Sequence, residues 1–549
     1  MTGTSEPVQP AQLARLEEHL GKRKPDGASA LAEGRGRARA FVALARAWGE
    51  RLDAAAGVRA EEQLTASALA QTLDAVAVVG PVLGAAAGAL LSAAGLAAPA
   101  GRAAAVPARL PLPALRLCTS LHPDALRAAL AGTTDGSTAL FTETTEFANP
   151  PKTAPGPAFP AGPQEALPTL GPVRSAFAPE ALRLVALRGI ETAPLLLRAA
   201  GACEALLAAP PEENEALRLG ALLAGLAARG SWSVTVAAAP ALLPLARWLE
   251  ALAALSPAGR LQLSVGEPLA DPDAYGTDRL FVELRLLGTA SDPRVRRLNA
   301  AGLPTLQLAV APEALAEELV RWELALAFAC GAPWLEGSAG REREHERLHQ
   351  REDEQAPAGP RMAEPLPEEP LPEEPWLSEP ALREGPLSIF CSPAHAQVLR
   401  KVAGTLGPKA AASAPHWLAA QAALQEPGEL VSLHFTTLPT QALREALAGV
   451  QGALRDATGL AVRAVFGLGA LSPGTGARAG GAAAGIYFLF SDLGGGDAGG
   501  AAGAAARREE ERALGLLAAE GRRALLLRTS DEPAGLITAL LHAASLLKG

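Results

Sequence analysis

The stretch Gly259–Leu286, GRLQLSVGEPLADPDAYGTDRLFVELRL, carries the pattern that decides the fold of this chain. Residues 261–265 alternate apolar and polar side chains, and residues 279–286 do so again, which predicts two strands. Between them, Gly266, Pro268 and a run rich in Pro, Asp and Gly predict a loop. The stretch is therefore predicted to form a strand, a long loop and a second strand.

The sequence on either side extends this pattern into a domain. An amphipathic helix is predicted to end near Glu250, and a further short strand is predicted at residues 304–310. A helix that carries Arg321 follows. Helix, strand, loop, strand, strand and helix in this order are typical of a layered α/β domain.

The sequence before this stretch predicts a second set of strands and helices. Short apolar strands are expected at residues 76–79, 114–118 and 137–142, with an Ala-rich helix after the first and a helix that ends at residue 130 after the second. A new block opens at Gly171 and includes a strand at residues 233–237. We therefore predict an α/β fold with two doubly wound subdomains, each built on a parallel sheet.

The composition changes near residue 337, where a charged run precedes EPLPEEPLPEEP at residues 364–375. Such a segment is typical of a solvated, semi-extended linker. Strands and helices return near residue 387, with a Gly/Ala-rich loop expected at residues 494–503. The predicted organisation is an N-terminal helical segment at 1–60, subdomains at 61–170 and 171–336, a charged and Pro/Glu-rich linker at 337–386, and a C-terminal α/β domain at 387–549.

The composition excludes several classes of protein. The 549 residues are 49% hydrophobic and 19% charged, which indicates globular domains, and the length allows two or three of them. The formal charge of −9 argues against binding to nucleic acid or to an anionic membrane. The four cysteines are scattered, with no CxxC pair, which fits a reducing cytoplasm.

One uncharged segment, residues 75–101, is long enough to span a bilayer. It consists mostly of Ala and Gly, and Gly80 and Pro81 interrupt it early, so a buried strand followed by a core-facing helix explains it better. The N-terminus has no basic stretch followed by an apolar core, so no signal peptide is expected. We predict a cytoplasmic protein without a membrane partner.

The amino-acid sequence of the opening stretch resembles that of a known protein family. VGEPLADPDAYGTDRLFVELRL, followed by RWELALAFACGA, is similar to GEPLG-x-PE-x-YG-x-DR-x-FV-x-LRL and RWEFATA in the phosphoglucose isomerase part of bacterial transaldolase–phosphoglucose isomerase fusion proteins. ELVSLHF, LRDATGLAVRAVFG, GIYFLF and GRRALLLRTS continue the resemblance towards the C-terminus. The resemblance implies subdomains of the sugar-isomerase (SIS) type.

The family's phosphate-binding loops are altered in this chain. The SSKSG(G/T)T-like loop corresponds to residues 141–147, FTETTEF, in which Thr142, Thr144 and Thr145 keep hydroxyl donors while the Lys and Gly are gone. Two glutamates now flank these threonines and would repel a phosphate dianion. Both an altered anion site and a simple hydroxyl-rich strand end stay open.

Two further loops of the family are also altered. The GGSS-like loop corresponds to residues 80–85, GPVLGA, whose Pro81 has no amide to donate. The GGR(Y/F)S segment corresponds to GPVRS, in which Val173 takes the arginine position and Arg174 lies one residue late, next to Ser175. We keep Arg174 and Ser175 as candidate substrate-binding residues.

The residues that would move protons are replaced. Isomerisation of an aldose to a ketose needs a base at the two sugar carbons and an acid–base group at the ring oxygen. The resemblance implies a glutamate where this chain has Leu255, and a histidine where it has Arg478. Glu250 lies about 140° round a helix from position 255, so it is no ready substitute. Arg478 does not exchange protons near neutral pH, although it can bind a phosphate or lie in a solvated loop.

These replacements predict a phosphoglucose-isomerase-like protein of carbohydrate metabolism that has lost turnover and binds a sugar phosphate or serves as a structural or regulatory homologue. The alternative is an active glucose-6-phosphate/fructose-6-phosphate isomerase with relocated catalytic groups. No catalytic residue, metal ligand or cofactor is assigned, and the expected partners are a sugar phosphate and a protein, either a second copy or another chain.

One metal-binding motif occurs in an unsuitable context. His345-Glu346-Arg347-Leu348-His349 matches HExxH, which places two imidazoles on one helical face for zinc. Its flanks are charged on all sides, it borders the Pro/Glu-rich segment, and no third ligand is evident. A solvated charged helix is the better interpretation.

Overall fold

The computed structural model describes three strands in the first half of the chain and most of the residues from 190 onwards. The described residues are 45–46, 50, 75–79, 89, 114–118, 138–142, 176–177, 181–182, 185–186, 190–210, 213–228, 232–254, 261–276, 279–330, 376, 379–407, 410–425, 429–435, 441–466, 485–492, 501–519, 521–529 and 533–548.

The described strands form three separate sheets. In chain order they are β1 (Ala75–Val79), β2 (Ala114–Cys118), β3 (Thr138–Thr142), β4 (Trp232–Ala238), β5 (Leu261–Val265), β6 (Arg279–Leu286), β7 (Thr305–Val310), β8 (Leu382–Glu384), β9 (Leu387–Phe390), β10 (Leu430–Phe435), β11 (Ala461–Phe466), β12 (Gly485–Asp492) and β13 (Arg523–Thr529).

The described helices all lie at residue 193 or later in the chain. They are α1 (Ala193–Ala208), α2 (Glu215–Ala228), α3 (Leu243–Ala254), α4 (Pro293–Ala300), α5 (Leu315–Cys330), α6 (Pro393–Thr405), α7 (Ala414–Ala423), α8 (Gln441–Thr458), α9 (Ala501–Ala519) and α10 (Pro533–Lys548).

The first two sheets share one winding pattern. The first sheet has the order β2-β1-β3, and both of its strand pairs are parallel. The second has the order β5-β4-β6-β7, again with parallel neighbours throughout. In each case the chain first adds a strand on one side and then returns to the other side, as in doubly wound α/β folds. The predicted α/β class with parallel sheets is confirmed.

The third sheet lies in the C-terminal part of the chain and has the order β11-β10-β12-β13-β9-β8. Strands β10 to β13 are parallel, whereas β9 runs antiparallel to β13 and forms a hairpin with β8. β8 lies within residues 337–386, which the sequence predicts to be linker. The predicted domain boundaries themselves stay predictions.

The second sheet is buried on both faces, as is usual for parallel sheets. All five residues of β5 are buried, although their sequence alternates apolar and polar residues as a half-exposed strand would. Parallel sheets are covered on both faces, so the polar Gln262 and Ser264 are enclosed as well. The core beside this sheet includes the fully buried Trp248 of α3 and Trp322 of α5. A separate core in the C-terminal part contains Trp417 of α7.

Two elements differ from the prediction. The sequence pattern gives no helix between β6 and β7, but α4 lies there and buries only Val295 and Leu298. Parallel neighbours need a crossover connection, and α4 supplies it. The Gly/Ala-rich loop predicted at 494–503 overlaps α9, which already begins at Ala501. The high helix propensity of alanine explains this earlier start.

The second and third sheets touch at their edge strands. β5 is the edge of one and β11 is the edge of the other. The Ser264 hydroxyl donates a hydrogen bond to the Val462 carbonyl at 3.1 Å, across the contact. The amide of Gln451 on α8 donates to the same carbonyl at 3.0 Å. Within the described chain, no helix has the length and apolarity needed to cross a bilayer.

Candidate functional site

The backbone places Thr142 at the carboxyl edge of the first sheet. Thr142 is the last residue of β3 and pairs in register with Val79, the last residue of β1. These two strands flank the point at which the strand order reverses, and open α/β sheets bind ligands in the crevice at that point. Val79 and Thr142 are therefore neighbouring strand ends at this edge.

The other candidate binding residues and the altered positions lie outside the described part of the chain. This holds for Thr144, Thr145, Arg174, Ser175 and Arg478 as candidate binding residues. It also holds for the altered positions Val173 and Leu255 and for the HExxH motif at 345–349. Their roles stay predictions.

Glu250 is described, and its carboxylate is fully engaged. The Arg247 guanidinium donates to Oε2 at 2.7 Å, and the Val265 amide donates to Oε1 at 3.0 Å. The side chain therefore ties α3 to the end of β5. A carboxylate held in this way serves the packing of the second sheet, in agreement with the geometric argument that it does not replace a base at position 255.

The loop after β5 directs a glutamate into the protein interior. Gly266 adopts φ of +84°, a conformation that favours glycine, and a Cβ there would lie 3.0 Å from Arg247 Nη2. The next residue, Glu267, is fully buried at its side chain and accepts a hydrogen bond from Arg279 Nη1 at 2.8 Å. Arg279 opens β6 and is itself 2% exposed at its side chain. The two ends of the loop are thus joined by a buried ion pair.

A second arginine reaches this ion pair from the C-terminal part of the chain. Arg455, near the end of α8, has Nη1 3.6 Å from Glu267 Oε1 and its side chain is 4% exposed. It also donates to the Pro268 carbonyl and pairs with Asp456 at 2.7 Å. Glu267, Arg279, Arg455 and Tyr275 are called the junction cluster below.

The ring of Tyr275 completes the junction cluster. The guanidinium carbons of Arg279 and Arg455 lie 4.9 Å and 5.4 Å from its centroid, within the range of cation–π attraction. Its hydroxyl oxygen accepts a hydrogen bond from the Ala270 amide at 2.7 Å, and its edge meets Phe281 at a centroid distance of 4.8 Å. The ring is therefore held in place by contacts with both cations, a backbone amide and a second aromatic ring.

Burial dominates the electrostatics of the junction cluster. It raises the pKa of Glu267 above the ordinary carboxyl value, while Arg279 and then Arg455 oppose the rise. Burial also raises the pKa of the Tyr275 hydroxyl. Because the carboxylate and both guanidinium groups are enclosed, the cluster is built to hold the second sheet against the C-terminal part and leaves no charged group of its own facing a substrate.

The residues of the junction cluster lie in recognisable sequence motifs, but the sequence does not show that they contact one another. Glu267, Tyr275 and Arg279 all belong to the motif on which the family resemblance rests, and Arg455 belongs to LRDATG. The structure brings the two motifs together. In this chain, the motif residues that carry the resemblance therefore make a structural contact with one another.

A second polar group lies in the middle of the C-terminal sheet. Ser432 pairs in register with Arg463 on one side and Tyr487 on the other, and His434 follows two residues along β10. Ser432 and His434 are fully buried. The sequence places no partner near His434 and predicts no role for it beyond packing. Among the described residues, no group of three His, Cys, Asp or Glu side chains is placed to hold a metal ion.

The chain has distant similarity to several solved structures. No protein-family model and no curated protein matches the chain. A hypothetical protein from Thermus thermophilus has a TM-score of 0.40 and 15% identity, over 63% of this chain and 100% of that one. A glucose-6-phosphate isomerase from Chlamydia trachomatis has a TM-score of 0.33 and 14% identity, over 62% and 78%.

A third similar structure is the C-terminal domain of glucosamine-fructose-6-phosphate aminotransferase from Francisella tularensis. Its TM-score is 0.30 and its identity 8%, over 53% of this chain and 95% of that one. The TM-scores of all three structures are below 0.5.

Proposed function

We propose that this chain is a relative of the phosphoglucose isomerase part of the bacterial fusion proteins, with a sugar-isomerase-type fold, that has lost turnover and binds a sugar phosphate. The observation that supports it most strongly is the state of Glu250 and Glu267, the two acidic residues nearest to position 255 in the sequence. Glu250 is held by Arg247 and a backbone amide, and Glu267 is held by Arg279. Glu250 is thereby engaged in packing, and the Glu267 side chain is fully buried and so closed off from a sugar.

The residues at the carboxyl edge of the first sheet indicate the class of ligand. Thr142 ends β3 beside the end of β1, at the reversal of strand order, where loops of α/β proteins meet phosphorylated ligands. Threonine hydroxyls at 142, 144 and 145 are donors that suit a phosphate or a sugar oxygen. The absence of a lysine in this loop and its two glutamates favour weak, regulatory binding over tight binding for catalysis.

The first experiment is a coupled assay for conversion of fructose 6-phosphate to glucose 6-phosphate by the purified full-length chain. We expect no turnover. In parallel, the melting temperature is measured with increasing fructose 6-phosphate, since a ligand at about 100 times its Kd stabilises a folded protein by about 2.7 kcal/mol. We expect a melting temperature that rises with the logarithm of the fructose 6-phosphate concentration above its Kd. This rise should be lost in Thr142→Ala/Thr144→Ala/Thr145→Ala and kept in the matched triple serine variant.

Turnover that disappears in the triple alanine variant would overturn the proposal and establish the alternative, an active isomerase with relocated groups. Absence of both turnover and stabilisation would leave a structural role. In that case the partner is a second copy or another protein, and light scattering of the purified chain separates these two by the mass of the particle.

A further inference from the structure

Two histidines from separate helices lie side by side in the C-terminal part of the chain. His416 is in the first turn of α7, and His542 is in the second half of α10. The centroids of their rings are 6.3 Å apart, and the ring planes meet at 69°. This separation is within the range at which two aromatic rings contact each other, so no other side chain lies between them.

The pair lies at the rim of the C-terminal core, where an ion from the solvent can reach it. His542 is exposed and His416 is half-buried. Trp417 and Ala543, which follow them directly in the two helices, are buried in the core that α7 and α10 share. The packing of the two helices therefore brings the imidazoles together at the edge of this contact, open to the solvent on the side of His542.

One nitrogen of the pair is buried without a hydrogen bond. This atom is His416 Nδ1, which has no hydrogen-bond partner within the described part of the chain. A buried polar atom without a partner costs about 1–3 kcal/mol, and an ion at the site is one of the explanations for it. Because no neighbour fixes Nδ1, the ring can carry its proton on either nitrogen and offer the electron pair of the other. Metal binding by His416 therefore does not depend on one tautomer.

Two imidazoles are ligands of a particular class of metal ion. Imidazole suits zinc and its neighbours among the transition metals, whereas Mg²⁺ and Ca²⁺ take oxygen ligands. A tetrahedral zinc ion with Zn–N bonds of about 2 Å holds the centroids of two imidazole rings about 5 Å apart, so the two rings must approach by about 1 Å. The exposed side chain of His542 can make this approach by turning about its own torsion angles.

We propose that His416 and His542 together bind one zinc ion, which joins α7 to α10 at the surface of the C-terminal part. Water molecules complete the tetrahedron, because no group of three His, Cys, Asp or Glu side chains among the described residues is placed to hold a metal ion. An ion that binds only the folded chain stabilises it by mass action. The site does not depend on the sugar phosphate proposed above.

The test is isothermal titration calorimetry of the full-length chain with zinc chloride. It is done in the His345→Gln/His349→Gln background, so that the HExxH motif does not contribute. We expect one ion per chain, bound at least about tenfold more weakly after His542→Gln, because loss of a group that only hydrogen-bonds a metal ligand already costs about 10–100-fold. The control Leu541→Gln introduces the same side chain at the preceding exposed position of α10 and leaves the affinity for zinc unchanged.

A second measurement tests whether the two imidazoles share the ion. In the chain that keeps both histidines, zinc should shift the ring-nitrogen resonances of His416 and His542 with one saturation curve. A shift in only one of the two rings overturns the proposal, as does the absence of saturable binding. Equal affinities in His542→Gln and Leu541→Gln also overturn it. Magnesium chloride at the same concentration should not displace the zinc, and displacement would refute a site made of imidazoles.

Discussion

Replacing Arg279 by methionine tests the junction cluster most directly. The change removes the main partner of Glu267, whose side chain is fully buried, while it keeps most of the apolar volume of the arginine stem. Breaking a buried ion pair by removing one partner costs about 3–5 kcal/mol. Arg455, 3.6 Å from the same carboxylate oxygen, compensates in part, so we expect a loss of about 3 kcal/mol at pH 8, measured by urea unfolding.

The loss should depend on pH in a defined direction. Burial raises the pKa of Glu267 in the folded chain, so its stabilising contribution is present at low pH and is lost as pH rises from 4.5 through the folded value. The charged and titratable groups that act on it are Arg279, Arg455 and Tyr275. Without Arg279 the pKa of Glu267 rises further, and the variant should therefore lose less stability at pH 5 than at pH 8.

Further variants make this prediction refutable. Arg279→Met/Glu267→Gln is compared with the single variant Glu267→Gln; neither chain has a carboxylate at position 267 to titrate, so the loss between them should be the same at both pH values. Arg297→Met removes the partner of Asp271 in an ion pair whose side chains are 59% and 74% exposed, and it should cost at most about 1 kcal/mol. A loss in Arg279→Met that is equal at pH 5 and pH 8, or no larger than in the Arg297 control, would refute a charged, buried junction.

Two other predictions concern packing and thiol chemistry. Gly220→Ala should destabilise the chain by about 1–3 kcal/mol, because the new Cβ would lie 2.9 Å from Phe328 Cβ on α5. Gly225→Ala on the same helix meets no atom within 4 Å and should stabilise it by up to about 1 kcal/mol, as comparison of the two urea curves will show. Burial raises the pKa of Cys203 and of Cys391 to about 12, so neither thiol should react with iodoacetamide at pH 8 until urea is added, which peptide mass spectrometry checks. Labelling of either cysteine in the native chain would contradict the burial described for it.

Clear apolar patterns make most of the strands predictable. β5, β6, β10 and β11 have the bounds that the sequence predicts, because each combines β-forming residues with clear breaks at both ends. The sequence pattern does not reveal α4, because its eight residues bury only two side chains, which is too little for a periodic signal. Its existence follows from topology, since parallel strands cannot be joined by a short turn.

The site residues are less predictable than the strands. The threonines of the β1–β3 edge can be proposed from sequence, because a loop after a parallel strand is a common place for an anion. The junction cluster cannot, since Arg455 and its acceptor on Pro268 are 187 residues apart in the chain. Sequence periodicity carries no information about which distant motifs meet. The same holds for His416 and His542, whose rings meet only when α7 and α10 pack together.

The contact between β5 and β11 shields two strand edges from other chains. An uncovered edge offers unpaired amide and carbonyl groups to any strand that it meets, which promotes aggregation. If the chain were cut within residues 337–386 and the halves separated, β5 would lose this cover and Ser264 would lose its acceptor. Half-length fragments are therefore expected to self-associate where the intact chain stays dispersed. Partners captured with such fragments would include strands that merely adhere to the open edge.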